Sequence, residues 1–171
     1  YTFYTVDPGD HVDNEAATAD AATLQAKVDA LPWDVLESSP RDLRQVYVGR
    51  RPDLGPHVDL MMDEETFLRA AAKYGRALAH TVTLYRHLAA RMAGRPFEFE
   101  MSVDETALPT TVAEHWFVAS ELARLGVRWI SLAPRYMGRF EKGSDYIGDL
   151  GAFEADLVRH VAVAQHMGPY K

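Results

Sequence analysis

The chain holds 171 residues, with 18 Lys and Arg against 25 Asp and Glu, and carries a formal charge of −7 with His neutral. That balance leaves no electrostatic footprint for a phosphate backbone, and no apolar run approaches the roughly 20 residues of a spanning helix, so neither nucleic acid nor membrane is expected as a partner. With no cysteine, there is no disulfide framework, no thiolate nucleophile and no Cys-ligated zinc; any metal site has to be built from His and carboxylates.

Residues 1–6 are β-branched and aromatic and read as a strand, with no basic stretch before them of the kind a signal peptide carries. The absence of an initiator Met, and the stop at Tyr170-Lys171 after the helix-breaking Gly168-Pro169, lead us to expect a piece of a longer protein. The turn formers and acids of Asp7-Pro8-Gly9-Asp10-His11-Val12-Asp13-Asn14 come next, and an alanine-rich stretch predicts a helix over residues 15–30. Residues 31–62, punctuated by Pro32, Pro40, Pro52 and Pro56, read as an irregular excursion or insert, with Gln45-Val46-Tyr47-Val48 as a short strand.

Asp63-Glu64-Glu65 opens the longest helix with an N-cap acid and first-turn negative charge, and Gly94 with Pro96 closes it. Phe67, Ala71, Tyr74, Leu78, Val82, Tyr85, Leu88 and Met92 make one apolar stripe along it. Residues 97–103 alternate with period two, a strand that delivers Asp104 and Glu105 to a loop. Thr111-Val112-Ala113-Glu114 has the form of a capping box and predicts a helix to Leu125, ended by Gly126. Residues 127–133 read as a mostly buried strand broken by Pro134. A loop with Gly138, Gly143 and Gly148 leads to a last helix that puts Leu150, Phe153, Leu157, Val161 and Ala164 on one face.

Strand and helix in alternation predict an α/β fold: parallel-strand βα units with functional residues on the loops after the strands. We expect one partial domain over residues 1–171, part of a (β/α)8 TIM-like barrel whose carboxyl-end rim gathers three polar loops. In Asp10-His11-Val12-Asp13 an imidazole and carboxylates share one turn, which suits a hard divalent cation or a proton-transfer pair; Asp7, Asp10 and Asp13 equally suit capping of the turn and the helix behind it. Asp104 and Glu105 offer an acid, a base or a carboxylate ligand. Glu98 and Glu100 share one face of their strand, toward a partner or toward solvent.

Glu114 is accounted for by the capping box, with His115 beside it in the first turn. Arg135, Arg139 and Lys142 suit the carboxylate of an acidic substrate, or plain surface charge. His57, His80, His87, His160 and His166 have no converging acids and are expected to be structural or superficial. GxGxxG, GxxxxGK[ST] and GxSxG are all absent, so neither a phosphate cradle nor a serine-hydrolase elbow is present.

The blocks YTFYTVDPGDHVDN (1–14), FEMSVDETALP (99–109), EHWFVASEL (114–122), SLAPR (131–135), FEKGSDYIGDL (140–150) and GPYK (168–171) together resemble the tagaturonate epimerase family; residues 31–60 match least. The resemblance implies a divalent-metal-dependent enzyme of bacterial galacturonate breakdown that interconverts the keto-hexuronates tagaturonate and fructuronate, with a barrel-like α/β fold and a cytoplasmic location. By family position it implies Asp10 as proton acceptor, His11 as metal ligand and Glu105 as a further candidate catalytic residue, with the remaining ligands and the second acid–base residue beyond Lys171. The stereocentre exchanged lies one bond past the carbon next to the ketone, so enolisation does not invert it. Retro-aldol cleavage with re-addition, or redox at the hydroxyl, is needed, and the missing dinucleotide fingerprint favours the former. Asp10 would move the hydroxyl proton, and Arg135 or Lys142 would hold the substrate carboxylate. The alternatives are another metal-dependent sugar-acid isomerase or aldolase, and a non-catalytic association fragment. The open edges of half a barrel also lead us to expect self-association, a homo-oligomer.

Overall fold

The computed structural model describes residues 2–168 and 170–171. Tyr1 of the expected first strand and Pro169 of the expected helix break lie outside the described residues. Three strands, β1 (Phe3–Val6), β2 (Glu98–Val103) and β3 (Ser131–Pro134), form a parallel sheet in the order β1-β2-β3. Parallel pairing demands crossovers, and helices supply them. Between β1 and β2 run α1 (Ala21–Asp29), α2 (Pro40–Tyr47) and α3 (Glu64–Met92); α4 (Val112–Arg124) links β2 to β3, and α5 (Leu150–His166) follows β3.

The period-two pattern of β2 sends Phe99, Met101 and Val103 into the core with Leu132, and puts Glu98, Glu100 and Ser102 on the opposite face. There the Thr5 hydroxyl donates to Glu100 at 2.9 Å. Beside β3, the Lys171 N–H donates to the Ile130 carbonyl at 2.9 Å and its own carbonyl accepts from Leu132 N–H at 2.8 Å, the exchange of a parallel ladder. The described residues thus make an α/β unit with an open three-stranded parallel sheet, not a closed barrel.

The long helix forms as its signals predict. Asp63 accepts the Thr66 N–H at 2.8 Å, and the chain leaves the helix through left-handed Ala93 and Gly94. Phe67, Ala71, Tyr74, Leu78, Val82 and Met92 of its stripe are buried. Gly75 allows a close approach, since a Cβ there would lie 2.5 Å from Cδ1 of Leu31. From residues 31–62, Leu31, Leu36, Leu43, Tyr47, Leu54 and Met62 join the same core as the sheet.

Four local expectations are corrected. Gln45 to Val48 is not a strand: Gln45, Val46 and Tyr47 end α2, which Ser39 caps by accepting the Asp42 N–H at 3.1 Å and which Pro40 starts with its preset φ. The helix expected over residues 15–30 is a 3-10 turn (Asn14–Ala17) followed by α1, because Asp20 accepts the Thr23 N–H at 2.8 Å and caps a fresh helix. The third strand starts at Ser131 rather than residue 127 and keeps Pro134, opposite Val103. On α5, Leu150 and Val161 are exposed while His160 and Val163 are buried; an apolar stripe counts histidine as polar and so turns the docking face the wrong way.

Candidate functional site

A parallel sheet opens all its strands toward one edge, and the loops leaving β1, β2 and β3 are stitched together there. The side-chain carbonyl of Asn14 accepts the Ala107 N–H at 3.0 Å, which joins the first loop to the second. Thr110 N–H donates to the Arg135 carbonyl at 2.8 Å, Arg135 N–H donates back to Thr110 Oγ1 at 3.1 Å, and the Arg135 guanidinium donates to the Thr106 carbonyl. These bonds join the second loop to the third.

The acids on these loops separate into two kinds. Asp7 accepts the Gly9 N–H at 2.9 Å, while Asp13 accepts the Glu15 N–H at 3.1 Å and pairs with Lys27 at 2.5 Å. Capping accounts for both. Asp104 accepts the hydroxyl of its neighbour Ser102. Asp10 and Glu105 are exposed, and among the described residues their carboxylates have no partner. The exposed Asp145 of the loop after β3 is likewise without a partner among the described residues, while the fold ties up Asp7, Asp13 and Asp104.

Glu105 faces a cleft of about 580 Å³ that Arg135, Tyr136, Arg139 and Phe153 also line. Its wall is aromatic: the Phe153 ring lies 5.3 Å from Tyr146 and 5.4 Å from Phe140. Arg139 and Ile147 exchange main-chain hydrogen bonds of 2.9 and 3.1 Å that pinch the loop. Gly138 sits at φ 79° under the Tyr146 ring, where a Cβ would strike the hydroxyl. Arg139 is held only loosely, 3.8 Å from Glu141. Lys142 is exposed and outside the residues lining the cleft.

His11 turns toward α3 and stacks on His80, with centroids 4.0 Å apart and rings inclined at 26°. Partial burial and the neighbouring His11 hold the pKa of His80 below the ordinary value. The two imidazoles line a separate hollow with Arg76 and Thr83, so His11 and Glu105 do not share one cleft. Among the described residues no three His, Asp or Glu side chains group to hold a metal ion. The donors present therefore do not make a complete cation site.

Sequence spacing misses the buried polar pairs. Lys73 lies within the apolar helix α3 yet meets Glu114, and Tyr47 donates to Glu121 at 2.8 Å. Neither the 41-residue nor the 74-residue separation leaves a local signal. The Glu114 capping box forms as predicted, with Thr111 and Glu114 bonded reciprocally.

A βα-repeat unit that carries unpartnered acids and an arginine-lined cleft at the carboxyl ends of parallel strands belongs to the α/β proteins that work from their strand-end loops. The family model described as tagaturonate epimerase matches residues 1–171, and the chain belongs to that family. It is 34% identical over 172 residues to a tagaturonate/fructuronate epimerase of Thermotoga maritima, covering 100% of this chain and 34% of that protein. Crystal structures of the fructuronate-tagaturonate epimerase UxaE of Cohnella laeviribosi match with TM-scores of 0.86 (one-glycerol complex) and 0.85 (native). Both are 36% identical and are matched over 100% of this chain and 34% of theirs. The chain spans about a third of the length of these relatives.

Proposed function

We propose that this chain carries part of the active site of an enzyme that interconverts tagaturonate and fructuronate. The observation that supports this most directly is the pair of unpartnered acids, Asp10 and Glu105, on loops joined by the Asn14–Ala107 hydrogen bond. Family membership points to the substrates, since the matched relatives are named for them. In the retro-aldol route Asp10 takes the proton of the hydroxyl on the carbon being inverted. The bond between that carbon and its neighbour next to the ketone breaks, leaving an aldehyde and an enediolate. Rotation of the aldehyde and re-addition to its other face re-form the bond, and Asp10 returns the proton. Glu105, on the joined loop, is a further group for proton transfer, and the second acid–base residue lies outside this chain.

Arg135 and Arg139 hold the substrate carboxylate in the cleft, with Lys142 as a further cation outside it. Arg135 gives part of its guanidinium to the Thr106 carbonyl, which fixes its direction. A divalent cation enters this proposal through the family resemblance: His11 would offer it one imidazole, and none of the proton transfers above depends on it. We also propose that the open sheet is an arc of a closed (β/α)8 barrel, that the enzyme works in the cytoplasm, and that it self-associates.

Turnover tests the proposal. Incubating the full-length enzyme to which this chain contributes with tagaturonate and a divalent cation, followed by proton NMR, is expected to yield fructuronate, and Asp10→Asn in that enzyme is expected to slow the conversion by roughly 10²–10⁴. Conversion of other sugar acids but not tagaturonate would move the assignment to a related isomerase or aldolase. No turnover, together with no spectral change at Glu105 or Tyr136 on adding tagaturonate, would leave an association role.

A further inference from the structure

A deeply buried histidine pair that the proposed chemistry does not use lies where α4, α5 and the residues beside β3 meet. His115 and His160 are 3% and 1% exposed, and their Nδ1 atoms are 2.8 Å apart. Nε2 of His115 lies 2.6 Å from the Tyr170 hydroxyl; Nε2 of His160 makes no hydrogen bond among the described residues and faces a carboxylate oxygen of Asp156 at 3.5 Å. The four side chains run in one line through three parts of the chain: Tyr170 next to the Lys171 that pairs with β3, His115 on α4, and His160 with Asp156 on α5.

Donor and acceptor accounting gives that line a direction. An Nδ1···Nδ1 hydrogen bond between neutral rings needs one proton, on one of the two. Were it on His160, the Nε2 lone pair of that ring would face the Asp156 carboxylate, two electron-rich groups in a site closed to water. With the proton on His115, its Nε2 is free to accept from the Tyr170 hydroxyl, and His160 keeps its proton on Nε2, facing Asp156. We propose that Tyr170, His115 and His160, with Asp156 facing the far nitrogen of His160 and setting its tautomer, form a one-way hydrogen-bond lock that fastens α5 to α4 while both imidazoles are neutral and releases it when either ring gains a proton.

The lock stands directly behind the cleft. The Tyr136 ring packs 5.3 Å from His160 and 6.0 Å from Phe153, and both Tyr136 and Phe153 line the cleft. His160 is a positioning residue in this arrangement, and the lock is independent of which substrate the cleft takes. The titratable and charged groups facing it are few. Asp156 and Arg159 come from α5 itself, Tyr136 from the loop after β3, and Tyr170 from the segment beside β3. Glu114, adjacent to His115 on α4, is neutralised by Lys73 of α3. Burial first, and His160 second, push His115 down to about 3; burial lowers His160 as well, against the pull of Asp156. Bases held below their ordinary value of 6.5 stabilise the fold fully above that pH. Their contribution is lost as pH falls from 6.5 toward 3, because the opened state takes up protons first.

Long-range proton–nitrogen NMR of the imidazoles in the unmodified protein tests the tautomers. His115 is expected to carry its proton on Nδ1 and His160 on Nε2, with neither titrating above about pH 5. A proton on Nε2 of His115, or either ring titrating near its ordinary value, would overturn the lock. Amide exchange tests the release: protection of α5 and of residues 136–140 should fall about tenfold or more between about pH 7 and 5 while that of α3 holds. Uniform loss across the molecule would overturn a local device. His160→Asn keeps an acceptor level with Nδ1 and cannot be protonated in this range, so it should flatten the acid loss in α5; an unchanged slope would count against the lock. If that variant does not fold, the two measurements on the unmodified protein decide.

Discussion

Nζ of Lys73 on α3 lies 3.0 Å from Oε2 and 3.1 Å from Oε1 of Glu114 on α4, with the two side chains only 3% and 10% exposed. The pair is a junction. Glu114 also accepts the Thr111 N–H at 2.8 Å, and the Lys73 carbonyl accepts the Asp13 N–H at 2.9 Å. A buried pair returns little net stability, but losing one member leaves a charge without water or partner, at roughly 3–5 kcal/mol. Lys73→Met should therefore lower stability by about that amount, and adding Glu114→Gln should restore most of it, both read by urea unfolding. A single variant within about 1 kcal/mol of the parent would mean that water reaches the pair.

A second buried junction makes a smaller prediction. The Tyr47 hydroxyl donates to Glu121, and Arg124 donates to both oxygens of the same carboxylate at 2.9 and 2.7 Å. Burial, with the Glu121 charge beside it, pushes the Tyr47 phenol well above its ordinary pKa, so it remains a donor. Tyr47→Phe removes one bond to a charged acceptor, roughly 1.5–3 kcal/mol, and leaves Arg124 in place. Loss of Arg124 as well should cost more than the sum of the two, which a double-mutant cycle reads directly.

What could be read from residue order was what local chemistry decides. Asp63, the Thr111–Glu114 box and the alternation of β2 act over a few residues, and each forms its element as expected. The failures come from non-local partners. Val46 and Val48 favour a strand, but Ser39 and Pro40 start a helix that buries Leu43 and Tyr47. His160 looks isolated until α5 folds back onto His115, 45 residues earlier. Asp10 and Glu105 were visible as acids at strand ends; that the fold leaves these two without partners while tying up Asp7, Asp13 and Asp104 emerges only from the hydrogen bonds.

The two cleft arginines should fail differently. Among the described residues the Arg139 side chain meets no charge but Glu141, at 3.8 Å, and its bonds to Ile147 are main-chain ones that alanine keeps, so Arg139→Ala removes charge from the cleft without disturbing the loops. KM should rise about tenfold with kcat nearly unchanged, as expected for loss of uniform binding. The Arg135 guanidinium also pins the loop after β2 by donating to the Thr106 carbonyl, a bond that alanine cannot make, so Arg135→Ala should lower kcat and raise KM together. Equal effects from the two variants would remove the distinction.

Asp10 and Asp13 give the sharpest contrast, because they sit three residues apart and only one has structural work. Asp13 caps the following turn and pairs with Lys27; Asp13→Ala should lower Tm and leave turnover close to that of the parent. Among the described residues the Asp10 carboxylate has no bond to lose, so Asp10→Asn should change stability by no more than about 0.5 kcal/mol. If its carboxylate takes the substrate proton, turnover should fall by roughly 10²–10⁴. The two variants are compared by thermal unfolding and by fructuronate formation from tagaturonate. An Asp10→Asn protein that turns over at the parent rate takes Asp10 out of the mechanism, and one that unfolds early means the carboxylate has a structural partner that this arrangement does not contain.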